Sequence, residues 1–214
     1  MNGRTHTAAG LACSVTAAAL VMPQTLTLPG LVLGSAAAVT AATLPDCDQY
    51  EHNMKAAVHC LIQLIVFCIL AQWLTKNPTD WQYAVFFIAA IFVGAVTEHR
   101  SATHSIAALF GFSWMFGIMI GDNQELTFWF FLSYASHLIL DILNKRGEML
   151  FWPFSKERFC LKLSRSESRL GKLIFKAASV WYAIVLVWIL FRQYGGMLSE
   201  LISLGSVLPG GIMP

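Results

Sequence analysis

Apolar runs of membrane-crossing length divide this chain from end to end. They lie at 7–22, 28–44, 56–74, 80–97, 103–120, 126–143 and 173–192. Each is near the roughly 20 residues that carry an α-helix across the hydrocarbon core of a bilayer. Of 214 residues, 57% are hydrophobic and 12% charged, where a soluble domain carries about a quarter charged. The fold class expected is all-α, a polytopic transmembrane helical bundle of six or seven spans over residues 1–194. The tail 195–214, "GGMLSELISLGSVLPGGIMP", reads as a short apolar piece, lying on the surface or re-entrant. The first two runs are rich in Ala and Gly and only weakly hydrophobic. They pack as inner helices, because small residues let backbones approach, or they cross incompletely.

The N-terminus, "MNGRTHTAAGLACSVTAAALVM", loosely resembles a cleaved signal peptide. A second Ala/Gly-rich run follows at once with no clean cleavage site before it, so retention is expected. Cys13, Cys47, Cys60, Cys68 and Cys160 show no CxxC spacing and read as small apolar fillers. No nucleic-acid partner is expected.

One segment sets the orientation. Lys145, Arg146, Lys156, Arg158, Lys162, Arg165, Arg169, Lys172 and Lys176 are nine of the fourteen Lys and Arg residues. Basic loops stay in the cytoplasm, which puts the 144–172 loop inside. Alternation then places 98–102, 45–55 and the N-terminus inside as well. His6, Asp46, Asp48, His99, His104, His137 and Asp141 all fall at this cytoplasmic end.

That coincidence directs attention to the polar groups. His137 and Asp141, in "YASHLILDIL", are four residues apart on one helix face. Ionisable residues inside a span are costly and mark functional sites unless they only pair with each other. Asp46 and Asp48 in "LPDCDQ" repel each other in a poor dielectric, and a divalent cation relieves both; an ordinary helix–loop junction is the alternative. "TEHRSATHS" holds His99, Arg100 and His104 between two apolar runs. Ser101 or Thr103 can cap the following helix, whose N-terminus, with Ser105, then suits an anion. Arg100 adds a bidentate contact to that anion or is only a positive-inside anchor. His6 joins through topology alone; His52 is a reserve ligand, and His59 is a packing residue. Imidazole nitrogens and carboxylate oxygens from four segments suit Zn²⁺, Mn²⁺ or Fe²⁺, in one to three ions. Such a centre activates water and clamps phosphoryl oxygens.

"RTHTAAG", "LPDCDQ", "EHRSATHS" and "YASHLILDILNKRGEMLFWPF", in this order, resemble the YdjM-type inner-membrane family over roughly residues 4–190. The family is described as metal-dependent hydrolases and is grouped distantly with zinc-dependent phospholipase C and P1-type nuclease. The helical HxxxD ligand pair of those enzymes is similar to His137 and Asp141. The resemblance implies metal-dependent hydrolysis of a phosphoester, in a lipid or other amphiphile, at the cytoplasmic leaflet of a bacterial inner membrane. It carries over onto His6, Asp46, Asp48, His99, Arg100, His104, His137 and Asp141. Two departures stand out: Gln49 replaces the His of PDxDH, and Ser101 replaces the Gly of HRGxTHS.

The expected assignment is metal on His6, Asp46, Asp48, His99, His104, His137 and Asp141, with Asp48 and Arg100 catalytic. Arg100, Ser101, Thr103 and Ser105 hold substrate, and the basic loop attracts anionic lipid headgroups. A metal-ion transporter and a scaffold that has lost activity are the other classes. The topology has a direct check: Cys160 is expected to react with a membrane-impermeant thiol reagent from the cytoplasmic side only, and labelling from the outer side contradicts it.

Overall fold

The computed structural model describes residues 3–48, 55–75, 80–163 and 169–207. Gln49, His52, Arg165 and the last seven residues of the tail lie outside the described residues. Among the described residues the chain forms seven α-helices and no strand, only an isolated bridge between Glu148 and Phe159. The helices are α1 (Gly3–Val21), α2 (Leu28–Thr43), α3 (Lys55–Thr75), α4 (Trp81–Ala95), α5 (Ile106–Met119), α6 (Gln124–Ile142) and α7 (Arg169–Val207). Short 3₁₀ turns cover Pro23–Thr25 and Pro45–Asp48. Among the described residues three stretches are long and apolar enough to cross a membrane: Leu28–Asp48, Lys55–Thr75 and Arg169–Gly195. α4 and α5 are apolar but shorter.

Local chemistry sets the helix starts. Thr27 Oγ1 accepts the Gly30 N–H (3.2 Å) with Pro29 in the first turn of α2, and Asn123 Oδ1 accepts the Leu126 N–H (3.1 Å) at α6. Side-chain acceptors of this kind satisfy donors that a helix start leaves open.

The Ala/Gly-rich segments are the centre of the molecule. α6 packs on both α1 and α2, and α1 packs on α7. Ala37, Ala38, Ala41 and Ala42 of α2 are fully buried, as are Trp129, Phe130, Ser133 and Tyr134 of α6. Gly34 makes the closest approach, since a Cβ there would stand 2.6 Å from the Trp129 indole. Polar bonds between helices fix the register: Ser14 Oγ donates to Trp129 O (3.0 Å) and Ser133 Oγ to Ala38 O (2.6 Å). An aromatic cluster beside them includes Phe116 stacked on Phe130, with centroids 4.3 Å apart. α7, by contrast, exposes Val180, Trp181, Ile184, Val187, Trp188 and Phe191 along its length.

Two boundaries differ from expectation. The run at 80–97 ends as helix at Ala95, and that at 103–120 begins as helix only at Ile106. The polar connection is therefore 96–105, longer than the sequence indicates, because its backbone makes its own tight turns: Ser101 N–H to Glu98 O (3.1 Å) and His104 N–H to Ser101 O (3.2 Å). The tail also differs. α7 runs unbroken across Gly195 to Val207, so residues 195–207 continue the last helix instead of forming a separate piece.

Gly34→Ala is expected to lower thermal stability in detergent, since overpacking a filled site costs about 1–3 kcal/mol. Gly111→Ala, where no atom lies within 4 Å of the added Cβ, is expected to leave it unchanged or raise it. Equal melting temperatures for the two variants contradict the central packing of α2 on α6.

Candidate metal centre

The 3₁₀ turn closing α2 carries Asp46 and Asp48, and the two carboxylates face different tasks. Asp48 is buried, with 1% of its surface exposed. Its Oδ1 lies 2.6 Å from His99 Nδ1, and its Oδ2 accepts the Arg100 backbone N–H (2.9 Å) and the Thr103 hydroxyl (2.8 Å). The same Oδ2 is 3.2 Å from His104 Nδ1. An ionised carboxylate only accepts, so the facing imidazole nitrogens carry the hydrogens. Asp48 thus organises the 99–104 turn around itself. Both oxygens of Asp48, expected to act in catalysis, are committed to donors of the loop.

The loop serves its own backbone in the same way. Ser101 Oγ donates to Glu98 O. The cap of α5 is Ser105, not Ser101 or Thr103: its Oγ accepts the Ala108 N–H (3.0 Å) and donates to Ala102 O (2.7 Å). The Ile106 N–H is taken by Leu150 O (2.9 Å). At the helix start expected to hold an anion, the Ile106 and Ala108 donors are therefore occupied. Ser101, Thr103 and Ser105 are all buried, with internal partners.

Four other atoms enclose an open centre. His137 Nδ1 lies 2.7 Å from Ala42 O; a carbonyl accepts, so Nδ1 carries the hydrogen and Nε2 keeps its lone pair. His104 Nδ1 lies 3.2 Å from the Thr103 hydroxyl, whose own hydrogen goes to Asp48 Oδ2, so Nδ1 donates there and His104 takes the same tautomer. Both Nε2 atoms are buried without a hydrogen-bond partner. His104 Nε2 is 3.9 Å from Asp46 Oδ1 and 3.9 Å from Asp141 Oδ2. His137 Nε2 is 4.0 Å from Asp46 Oδ1 and 3.9 Å from Asp141 Oδ2. The four atoms form a closed ring from the 3₁₀ turn after α2, the 96–105 loop and α6. Four ligands held tetrahedrally at about 2.1 Å from one ion stand about 3.4 Å apart, and these four imidazole–carboxylate separations exceed that by about half an ångström. Mixed imidazole and carboxylate donors, each imidazole braced through its other nitrogen, are what such an ion requires.

A sequence profile described as YdjM inner membrane protein matches residues 1–199. The chain belongs to the YdjM inner membrane protein family. No curated protein and no solved structure gives a match. In this YdjM chain every residue of the ring lies inside the matched region.

The remaining expected residues surround the ring. His6, from the first turns of α1, stacks on His137 with ring centroids 3.8 Å apart, and its Nε2 is 3.2 Å from Asp141 Oδ1. His6, Asp46 and His137 form one group able to hold an ion, His104, His137 and Asp141 a second, and Asp48, His99 and His104 a third. His99 and Asp46 are the partly open members, with 29% and 18% of their side chains exposed. Arg100, expected to clamp an anion, is buried instead: Nη2 donates to Asp141 Oδ2 (2.8 Å), and Nη1 reaches Gly147 O at 3.5 Å. Its backbone is left-handed (φ 66°), a rare conformation for a side-chain-bearing residue. That turn is what aims its N–H at Asp48 while its C=O accepts the Met149 N–H (3.1 Å). His59 lies away from the centre, 3.0 Å from Gln63 along α3.

Two residues escaped the sequence reading. Tyr134 is buried, and its hydroxyl donates to Thr103 O (2.5 Å), tying α6 to the loop. Glu148 is fully buried, and neither carboxylate oxygen has a partner. Burial pushes its carboxyl up to about 9; Asp141 adds to this and Arg100 opposes it. The one hint in sequence was an acid leading directly into "MLFWPF" within a basic loop.

Asp48→Asn replaces an acceptor-only hub with a group that is half donor. Zn²⁺ affinity, read by titration calorimetry in detergent, is expected to fall 10- to 100-fold, as on losing an outer-shell partner. Wild-type affinity in this variant contradicts the role given to Asp48.

Proposed function

We propose that this YdjM-family chain is a membrane-embedded, metal-dependent hydrolase cleaving a phosphoester of a lipid or other amphiphile at the cytoplasmic face. In this reading α1 to α7 form a bundle of six or seven spans in the bacterial inner membrane. The N-terminus and the 144–172 loop face the cytoplasm. The observation that carries the proposal is the ring of His104 Nε2, His137 Nε2, Asp46 Oδ1 and Asp141 Oδ2, with two buried imidazole lone pairs that meet no donor.

The donor set fits Zn²⁺ first, with Mn²⁺ and Fe²⁺ as alternatives. The geometry favours one ion over three. His104 and His137 each have a single nitrogen left, so the groups that share them compete. A divalent cation there supplies Lewis acidity, polarising a phosphoryl oxygen and acidifying water at neutral pH. The protein's own residues do the rest. His104, His137, Asp46 and Asp141 bind; His6 packs against His137 and pairs with Asp141; Arg100 braces Asp141. With Asp48 committed to its loop, Asp46 is the ring carboxylate that solvent reaches.

Substrate approach is assigned to the segment after α6. Lys145, Arg146, Lys156, Arg158 and Lys162 are exposed together with Phe151, Phe154, Leu161 and Leu163. A basic surface with exposed aromatics matches an anionic lipid interface, where each basic residue near the surface contributes about 1 kcal/mol. Because the ring gathers at the helix ends on one side, a hydrolase is favoured over a transporter, whose sites sit near the midplane between repeats.

Purified protein is expected to carry about one equivalent of Zn²⁺ per chain and to release phosphate or a phosphorylated headgroup from some member of a phosphoester panel that includes phospholipids. The paired change His137→Ala with Asp141→Ala is expected to abolish both. Metal-free wild type overturns the centre. A metal-loaded protein that cleaves nothing but moves Zn²⁺ into vesicles supports transport instead.

A further inference from the structure

Arg100 pairs with one buried carboxyl, that of Asp141, and meets the backbone on either side of a second, that of Glu148. Its Nη2 sits 2.8 Å from Asp141 Oδ2, which is also the oxygen that Asp141 presents to the ring. Its Nε is buried with no partner. Glu148 is fully buried with both oxygens unpartnered, and Asp141 and Arg100 are the leading charges acting on it. The backbone brings the two side chains into register. Gly147 O faces Arg100 Nη1 (3.5 Å), and the Met149 N–H donates to Arg100 O (3.1 Å), so both chain neighbours of Glu148 hold Arg100. The bridge from Glu148 to Phe159, with N–H···O distances of 3.1 and 2.8 Å, fixes the backbone of Glu148 in turn. Gly147 makes this turn with φ 68°, and a Cβ there would stand 3.0 Å from Phe159 O.

A cation in the ring changes the balance. It attracts Asp141 Oδ2, and it repels the guanidinium that occupies the same oxygen. In a low-dielectric pocket a displaced guanidinium requires another acceptor, since a buried unpaired charge is strongly unfavourable. We propose that Glu148 is a positioning residue of the metal centre, receiving the Arg100 guanidinium when Asp141 Oδ2 turns to a bound cation. This rests on the ring being a metal site. Glu148 then governs how tightly the ring holds its ion without touching it, and the orphaned carboxyl and the orphaned Nε are two halves of one unmade contact.

The test is a double-mutant cycle read by Zn²⁺ titration calorimetry on the full chain in detergent, using wild type, Glu148→Gln, Arg100→Met and the pair. Glu148→Gln is expected to weaken Zn²⁺ about tenfold in the wild-type background and to have no effect in Arg100→Met, where there is no guanidinium to reseat. An unchanged affinity in Glu148→Gln, or an equal loss in both backgrounds, overturns the proposal while leaving the metal centre standing. Wild type that binds no Zn²⁺ overturns the centre and this inference with it. Should a variant fail to fold, ¹⁵N-arginine spectra of the wild type decide the matter. The Arg100 Nε signal is expected to shift when Zn²⁺ is added, and a signal that stays in place overturns the proposal.

Discussion

The buried carboxylate of Asp48 is the point on which the arrangement turns. One side chain from the end of α2 receives an imidazole, a backbone N–H and a hydroxyl from the 99–103 turn, and lies against the Nδ1 of His104. A carboxylate removed from water is tolerated only when its lone pairs are filled by good donors, and here they are. The consequences run outward. The turn is held in a shape that puts Arg100 in the left-handed region, His104 is locked with Nε2 facing inward, and α4 and α5 are stopped short of their apolar limits. Asp48 is thus what fixes residues 96–105 to the end of α2, while Tyr134 and Asp141 hold the same loop to α6.

The ring then follows from packing that the sequence understates. α2 and α6 approach closely because Gly34 leaves room for Trp129 and a stripe of alanines lies against the aromatic face of α6. That approach brings Ala42 O within reach of His137 Nδ1 and sets the second imidazole. Both ring histidines are thus oriented by partners that are themselves fixed by helix contacts. Sites supported on rigid elements in this way hold their geometry before a ligand arrives.

Much of this was legible in the sequence. Span-length apolar runs marked the helices, and the four-residue spacing of His137 and Asp141 put them on one face. The positive-inside count placed His6, Asp46, Asp48, His99, His104, His137 and Asp141 at one end of the chain's helices, where the structure brings them together. The division of labour among them was not legible. Whether Asp48 or Asp46 faces the open centre depends on the pitch of a single 3₁₀ turn. Whether Arg100 points outward to an anion or inward to Asp141 depends on one backbone angle. Glu148 sits in a segment without periodicity, and its neighbours Gly147 and Met149 meet Arg100 through contacts that leave no local pattern. Helix starts at Ser101 or Thr103 were plausible by propensity, and the side chains lost that role because Asp48 and Glu98 engaged them first.

In the proposed function the two Nε2 lone pairs and two carboxylate oxygens surround a cation. A structure of the purified protein with anomalous data above and below the zinc edge tests it most directly. One strong peak is expected within the ring, about 2.0–2.2 Å from His104 Nε2, His137 Nε2, Asp46 and Asp141. A ring that stays open with no peak, or a peak lying between Asp48 and His99 instead, would contradict it.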